Sequence, residues 1–371
     1  MTLAVTGCGI LSPAGKGTGA LASAMAHGWN GPAAETAALY SEPLPTPSGR
    51  TVPGFDVRQE LGRKGTSFLD RRSSLALVAC HEAIADGRLQ IDDSTRHRIG
   101  IALGTTWGSL RAMSDYTKDS LLEARPYLVN PAMFPNTVMN CAAGQVAIWF
   151  GLRGVNATIA GGQMAFLNGI EYARNILRRG YVDTLLIGGV EEFTPHSAWA
   201  SALTDERPAL RVAEAAALFV VESADTARRA GKHLDADVLS VATAFSPGGQ
   251  RGGNMARGLG RSIERVLAAA GVAPSEIAIA ATCQCDGDGY DIEGTAIDGA
   301  GLTPTTRVRV RQSFGECHAA TGALQLAAVL ALHREDPSRD GQASLLTGWT
   351  KDGGVGAAVV RAWSRVGSDC R

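Results

Sequence analysis

Apolar residues along this chain alternate between short runs and stretches that repeat every three or four positions. The clearest example spans 154–192, GVNATIAGGQMAFLNGIEYARNILRRGYVDTLLIGGVEE. Residues 155–160 mix β-branched and small side chains and predict a buried strand. Gly161 and Gly162 permit a tight turn. From there Met164, Phe166, Leu167, Ile170, Ala173, Ile176 and Leu177 fall at helical spacing. Arg178 and Arg179 suit the negative end of that helix, Gly180 can cap it, and 184–187 predict the next strand.

The same alternation runs through the rest of the chain. Residues 3–6 predict a strand into the glycine turn GCG, followed by a helix to about Gly28. The Pro-, Gly- and Ser-rich 30–59 read as a surface loop. Helix 68–89 is marked by Leu75, Val78, Ala79 and Ala83 and stopped by Gly87; 98–109 predict a strand and turn, after which Leu110, Met113 and Thr117 share a helical face. Residues 131–151 open on helix-starting prolines and stay apolar, and 210–223 predict a long strand. Then the pattern restarts: strand 238–243, helix 257–270, strand 277–282, strand and glycine turn 308–315, helix 319–332. Two halves, 1–225 and 226–371, each alternating strand and helix around a polar connection at 224–233, predict a doubled α/β unit with helices covering partly parallel sheets.

Composition narrows the classes of function. A chain of 371 residues can bury a large core. With 35 Lys and Arg against 36 Asp and Glu and no basic block, nucleic acid and anionic membrane are not expected partners. Forty-five glycines and few aromatics fit closely packed helices and strands with many sharp turns. Seven scattered cysteines imply reduced thiols. The opening MTLAVTGCGILSP lacks the basic region and long apolar run of a signal peptide, so a cytoplasmic protein is expected.

The chemistry centres on position 163. A glycine turn between strand and helix ordinarily aims a Ser or Cys off the sheet, where the helix N-terminus lowers a thiol's pKa and its amides hold an oxyanion. Here the residue is Gln163, whose amide attacks poorly and has no titratable proton; taken alone it reads more readily as a helix cap, and the rest of the chain reverses that reading. Cys283, Cys285, Cys317 and His318 have zinc-ligand chemistry, but CxC with a distant CH is not a common ligand spacing, and no metal is expected. Cys8 and Cys141 are not placed where a helix N-terminus would clearly activate them, and core packing is their expected role. The GxG at Gly7 and Gly9 lacks the third glycine of a dinucleotide site.

The order of motifs resembles the β-ketoacyl synthases of the thiolase-like fold over nearly the whole chain. VTGCGILSPAG resembles that family's VTGxGxxSPxG, FLDRRSSLALVACHEAIADG its MDR helix, IGIALGT its GVxxGT, and LAAAGVAPSEI its AxxxAGxxPxxI. PNTVMNCAAGQVAIWFGLRGVNATIA is similar to the segment leading into the catalytic cysteine strand. The resemblance implies a five-layered αβαβα fold of two pseudo-repeats. It also implies degenerate catalytic positions. The family's cysteine falls on Gln163. Its first histidine falls on Cys283, with Asp291 kept in place; its second falls among Glu316, Cys317 and His318. Gln312 stands where a lysine is usual, and the segment from Asp205 is shorter than the family's gating loop.

Gln at the cysteine position resembles the chain length factors of type II polyketide synthases, the inactive partners of active ketosynthase subunits. The alternative within the family is a Gln-type ketosynthase that decarboxylates malonyl groups on the carrier protein to prime synthesis, but those retain both histidines. The resemblance therefore implies a subunit without condensing activity or cofactor of its own. Its partners would be a ketosynthase-alpha subunit, an acyl carrier protein with its phosphopantetheine arm, and the growing acyl chain. Leu110, Met113, Tyr116, Thr117 and Met139 become the expected tunnel wall. Val155, Asn156, Ala157, Thr158, Ile159 and Ala160 become the expected twofold interface.

Overall fold

The computed structural model describes residues 1–26, 34–35, 39–45, 48–204, 212–247, 252–284 and 290–365. The principal strands are β1 Leu3–Ser12, β2 Ile99–Thr105, β3 Asn156–Ala160, β4 Thr184–Glu191, β5 Ala215–Ser223, β6 Ala236–Phe245, β7 Ile277–Thr282, β8 Thr306–Arg309, β9 Ala343–Trp349 and β10 Gly354–Ala362. The principal helices are α1 Gly17–Ala26, α2 Arg71–Asp86, α3 Leu110–Leu122, α4 Cys141–Phe150, α5 Ala165–Arg178, α6 Gly252–Ala270, α7 Ile292–Gly299 and α8 Ala320–Arg334.

The strands follow one path, β8-β7-β9-β10-β6-β1-β5-β4-β2-β3, with the short strand Gly15–Lys16 paired to the end of β1. Read from its two ends, this path is one order written twice. β3-β2-β4-β5-β1 becomes β8-β7-β9-β10-β6 when each number is raised by five. The pairing sense repeats too. β2 is parallel to β3 and β4, as β7 is to β8 and β9, while β5 and β10 are antiparallel to both their neighbours. The halves join through an antiparallel register of Leu3, Ala4 and Val5 against Val238, Asp237 and Ala236.

Hydrophobic burial sorts the helices into layers. Leu75, Val78 and Ala79 of α2 and Ala142, Ala143 and Val146 of α4 pack on one face of the first sheet. Leu259, Ile263 and Val266 of α6 and Ile292 and Ala296 of α7 pack on the outer face of the second. Between the sheets lie α5 and α8, whose Phe166, Ile170, Leu324 and Leu330 share one core with Phe219 of β5 and Ile279 of β7. The result is five layers, helix, sheet, helix, sheet, helix. Small residues set the closest approach between α8 and β4. α8 is buried from Ala320 through Ala331, and a Cβ added at Gly189 of β4 would lie 2.4 Å from the Ala319 carbonyl oxygen.

Local chemistry sets the helix ends. The Asp70 side chain accepts from the Ser73 N–H at 2.8 Å, so α2 starts at Arg71, inside the predicted 68–89, and gives way at Gly87. The expected glycine turn after residue 6 is not a turn: Gly7 and Gly9 lie within β1, which runs on to Ser12, and the GxG is a packing device. A Cβ at Gly9 would come within 1.9 Å of the Ala79 carbonyl oxygen of α2.

Several expectations are corrected. Residues 155–160 form no buried strand. β3 is an edge strand, paired to β2 alone among the described residues, with Asn156 and Ala160 exposed and the residues between them half-buried. A short run of β-branched residues looks the same at an edge as in a sheet centre, because periodicity does not encode neighbours. Residues 308–315 form a strand only to Arg309; Val310–Phe314 is a helix, closed by Gly315 at φ +94°. The 224–233 connection begins with the helix Ala224–Arg229. α6 starts at Gly252, ahead of the predicted 257.

Candidate functional site

Gln163 sits where the glycine turn predicts. β3 ends at Ala160, Gly162 adopts φ +54°, and a 3-10 turn over Gly162–Met164 feeds α5, placing Gln163 half-buried at the mouth of that helix. Its side-chain amide donates to both oxygens of Glu316, at 3.2 Å to Oε1 and 3.1 Å to Oε2. Glu316 occupies the matching place in the second half, between the Val310–Phe314 helix and α8.

The Glu316 carboxylate is buried and fully engaged. Arg311 Nε lies 2.7 Å from Oε2, and the His318 backbone N–H donates to Oε1 at 2.9 Å. Burial alone would raise the Glu316 pKa; the Arg311 charge and these hydrogen bonds overcome it and hold the carboxyl at about 2. His318 has a left-handed backbone, φ 43°, and its ring meets Trp107 edge-on at 5.4 Å between centroids. Burial pushes the His318 pKa down, against the opposing pull of the Glu316 charge. Of the three residues offered for the second histidine position, Glu316 touches Gln163, His318 flanks Glu316, and Cys317 is wholly buried in the central core.

Cys283 closes the other side. It lies buried just past β7, its thiol 3.5 Å from Glu293 Oε1, and Arg311 Nη1 donates to its carbonyl at 3.0 Å. Arg311 therefore ties together two degenerate positions. Burial drives the Cys283 thiol well above its ordinary range, and Cys317 and Cys8 rise for the same reason, so none is a ready nucleophile. Asp291 has a structural role as the cap of α7, accepting from the Gly294 N–H at 2.7 Å. Cys141 is the first residue of α4, a helix N-terminus the sequence reading did not assign to it, yet burial, then the nearby Asp70, still raises its pKa.

Cys285 and residues 205–211 of the shortened loop lie outside the described residues. Among the described residues no group of three His, Cys, Asp or Glu is arranged to hold a metal ion, and no helix is long and apolar enough to cross a membrane.

The residue that sequence reasoning missed is Arg311. Attention to the lysine position falls on Gln312, which is exposed and accepts from Arg309 at 3.3 Å, while the buried cation is one residue earlier. The available signal was the adjacency itself, a basic residue beside the vacated position.

The expected tunnel wall divides between two faces of α3. Met113 and Thr117 are exposed and Leu110 half-buried, whereas Tyr116 lines a cavity of about 320 Å³ with Ala112, Met133, Tyr40, Arg111 and Glu192. Met139 is exposed beside Gly108. Ala112 and Met133 were not singled out from sequence; the spacing of Ala112 and Tyr116, four apart on a helix, was the signal. Behind the cavity stand buried carboxyls. Burial, then Asp70, raises the Glu192 pKa to about 8, and burial raises Glu191 to about 7. Leu121, Leu122, Phe134 and Ile148 expose large apolar surface, Leu121 and Ile148 to 79% and 77%.

Comparison with known proteins agrees with this geometry. The model of the β-ketoacyl synthase N-terminal domain matches residues 2–225. The structure titled the ishigamide ketosynthase/chain length factor is 33% identical, covers 98% of this chain and 100% of its own, and superposes with a TM-score of 0.86. A type II polyketide synthase ketosynthase in complex with its acyl carrier protein, titled AntDE:AntF, shares the fold at 18% identity and a TM-score of 0.80, covering 97% of this chain and 99% of its own. The 3-oxoacyl-[acyl-carrier-protein] synthase 2 of Staphylococcus aureus (strain N315) is 26% identical over 299 residues, 74% of this chain and 70% of that protein. The five layers and their repeated strand order are the thiolase-like ketosynthase fold. The chain belongs to the β-ketoacyl synthase family.

Proposed function

We propose that this chain is the non-condensing subunit of a type II polyketide ketosynthase pair, and that it sets the length of the acyl chain by shaping the cavity of an active partner. The observation that carries this reading is the contact between Gln163 and Glu316. Where condensation needs a thiolate and two imidazoles, this chain holds an amide, a buried neutral thiol and an ionised carboxylate. None of the three supplies the thiolate or the imidazoles that the condensation uses.

The surface supports the rest. β3 offers an unpaired edge among the described residues, a natural site for a second strand across a twofold axis, and Leu121, Leu122, Phe134 and Ile148 are large apolar side chains left exposed. A partner ketosynthase would cover this face and an acyl carrier protein would deliver substrate to that partner. The cavity beside Tyr116 supplies space whose depth the side chains of α3 control. Decarboxylation of a malonyl group at Gln163 loses support, because the Glu316 charge repels a second carboxylate at the same place.

The test is co-expression with a ketosynthase that carries Cys, His and His. Stable co-purification, with elongation only by the pair and product length altered by variants of this chain, is the expected result. Acylation and elongation by this chain alone would overturn it.

A further inference from the structure

We propose that Glu316, held by Arg311, is a positioning residue that denies position 163 a negatively charged side chain, so that returning a cysteine there would not by itself return a reactive thiol.

Position 163 stands at the N-terminal end of α5, and Glu316 stands just before α8, the equivalent helix of the second half. Such a helix end carries roughly half a positive charge and would favour a thiolate. Glu316 opposes it with a full negative charge at hydrogen-bond distance, 3.1 and 3.2 Å from the Gln163 amide nitrogen. The compensating guanidinium contacts that same carboxylate. Arg311 reaches Oε2 at 2.7 Å and spends another N–H on the Cys283 carbonyl at 3.0 Å. A group at position 163 therefore has the carboxylate within hydrogen-bond distance, while Arg311 is engaged by that carboxylate and by the Cys283 carbonyl.

The neutral amide of Gln163 fits this setting because it donates to the anion, which a thiolate cannot do. An internal carboxylate already fills the place where two helix ends and an arginine would otherwise receive a substrate's developing negative charge. This inference stands apart from the proposed subunit role. It concerns the isolated chain and needs neither partner nor carrier protein.

The test uses the full chain as Gln163→Cys, alone and combined with Glu316→Gln, with iodoacetamide as the probe and alkylation at position 163 followed by peptide mass spectrometry from pH 6 to 10. Because a one-unit fall in thiol pKa multiplies the thiolate fraction about tenfold below the titration midpoint, the combined variant should alkylate at least about tenfold faster at pH 7.5, with its profile shifted to lower pH. Glu316→Gln leaves Arg311 buried without its counter-charge, so a third variant, Gln163→Cys with Glu316→Gln and Arg311→Leu, removes both charges and keeps the comparison if the second fails to fold. Equal rates and superimposable pH profiles with Glu316 present and absent would overturn the proposal. So would rapid alkylation of the single Gln163→Cys variant at neutral pH.

Discussion

The Gln163 amide nitrogen lies 3.2 and 3.1 Å from the two carboxylate oxygens of Glu316, residues 153 positions apart that occupy equivalent places in the two halves. With Arg311 paired to the same carboxylate, this contact has a consequence for stability. The folded Glu316 pKa, about 2, lies below the ordinary 4.5. Its contribution is therefore present above pH 4.5 and lost as pH falls from there towards 2. Glu316→Gln should cost about 3–5 kcal/mol at pH 7 by leaving Arg311 uncompensated. That difference from the wild type should shrink steadily in urea titrations carried from pH 5 to pH 2. A difference independent of pH would show that the carboxylate's charge is not what matters.

Glu192 predicts the opposite slope. Its folded pKa is raised to about 8 from 4.5, so the folded chain binds a proton that the unfolded chain has released, and stability falls as pH rises from about 4.5 through 8. Glu192→Gln keeps an oxygen for the Arg72 N–H, which now donates to Glu192 Oε2 at 3.2 Å, and removes the titration. The variant should gain on the wild type as pH rises from 6 to 9, read as the change in urea midpoint. Parallel pH profiles would mean that Glu192 is already ionised in the fold.

These electrostatics mark the limit of what the sequence could tell. Strands and helices were legible where apolar side chains recur at a spacing set by backbone geometry, as on α5, or run unbroken, as on β7 and α8, and the doubling was legible because the alternation restarts. The degenerate position 163 was legible because a glycine turn must aim one residue off the sheet. What held that residue was not. The Gln163 to Glu316 contact depends on how two halves close on each other, and Arg311 contributes through a guanidinium whose reach no periodicity records. The edge position of β3 was hidden for a related reason. Burial is a property of neighbours, and strand order is settled by pairings between residues far apart in sequence.

Ala112 and Tyr116 give the cavity a handle. Tyr116→Ala removes an aromatic side chain from its lining and should lengthen the product made with an active ketosynthase. Ala112→Leu adds bulk to the same face and should shorten it. Mass spectrometry of the products of the reconstituted pair reads both. If Met113→Phe on the exposed face of α3 shifts product length while these two do not, the wall lies on that face instead.

Gly9 tests the packing of the outer helix. A Cβ there would meet the Ala79 carbonyl oxygen at 1.9 Å and the Glu82 Cβ at 2.8 Å, so α2 must move off β1. Gly9→Ala should destabilise the chain by at least about 1–3 kcal/mol, the usual cost of overpacking, with the loss seen as a lower urea midpoint at unchanged slope. An unchanged midpoint would mean that α2 shifts without cost.

Ile148 separates folding from association. It is 77% exposed on α4, so replacing it with Asp removes no core contact and should leave the urea midpoint of the isolated chain within about 0.5 kcal/mol of wild type. At an interface with a ketosynthase the same change would bury a carboxylate with no counter-charge of its own. Ile148→Asp should therefore abolish co-elution with the partner on size exclusion at micromolar concentration, while Arg229→Asp on the remote helix Ala224–Arg229 should not. Because the monomer's stability is measured on the same preparation, loss of the complex with an intact fold places this face in the interface. A complex that survives Ile148→Asp places the interface elsewhere on the chain.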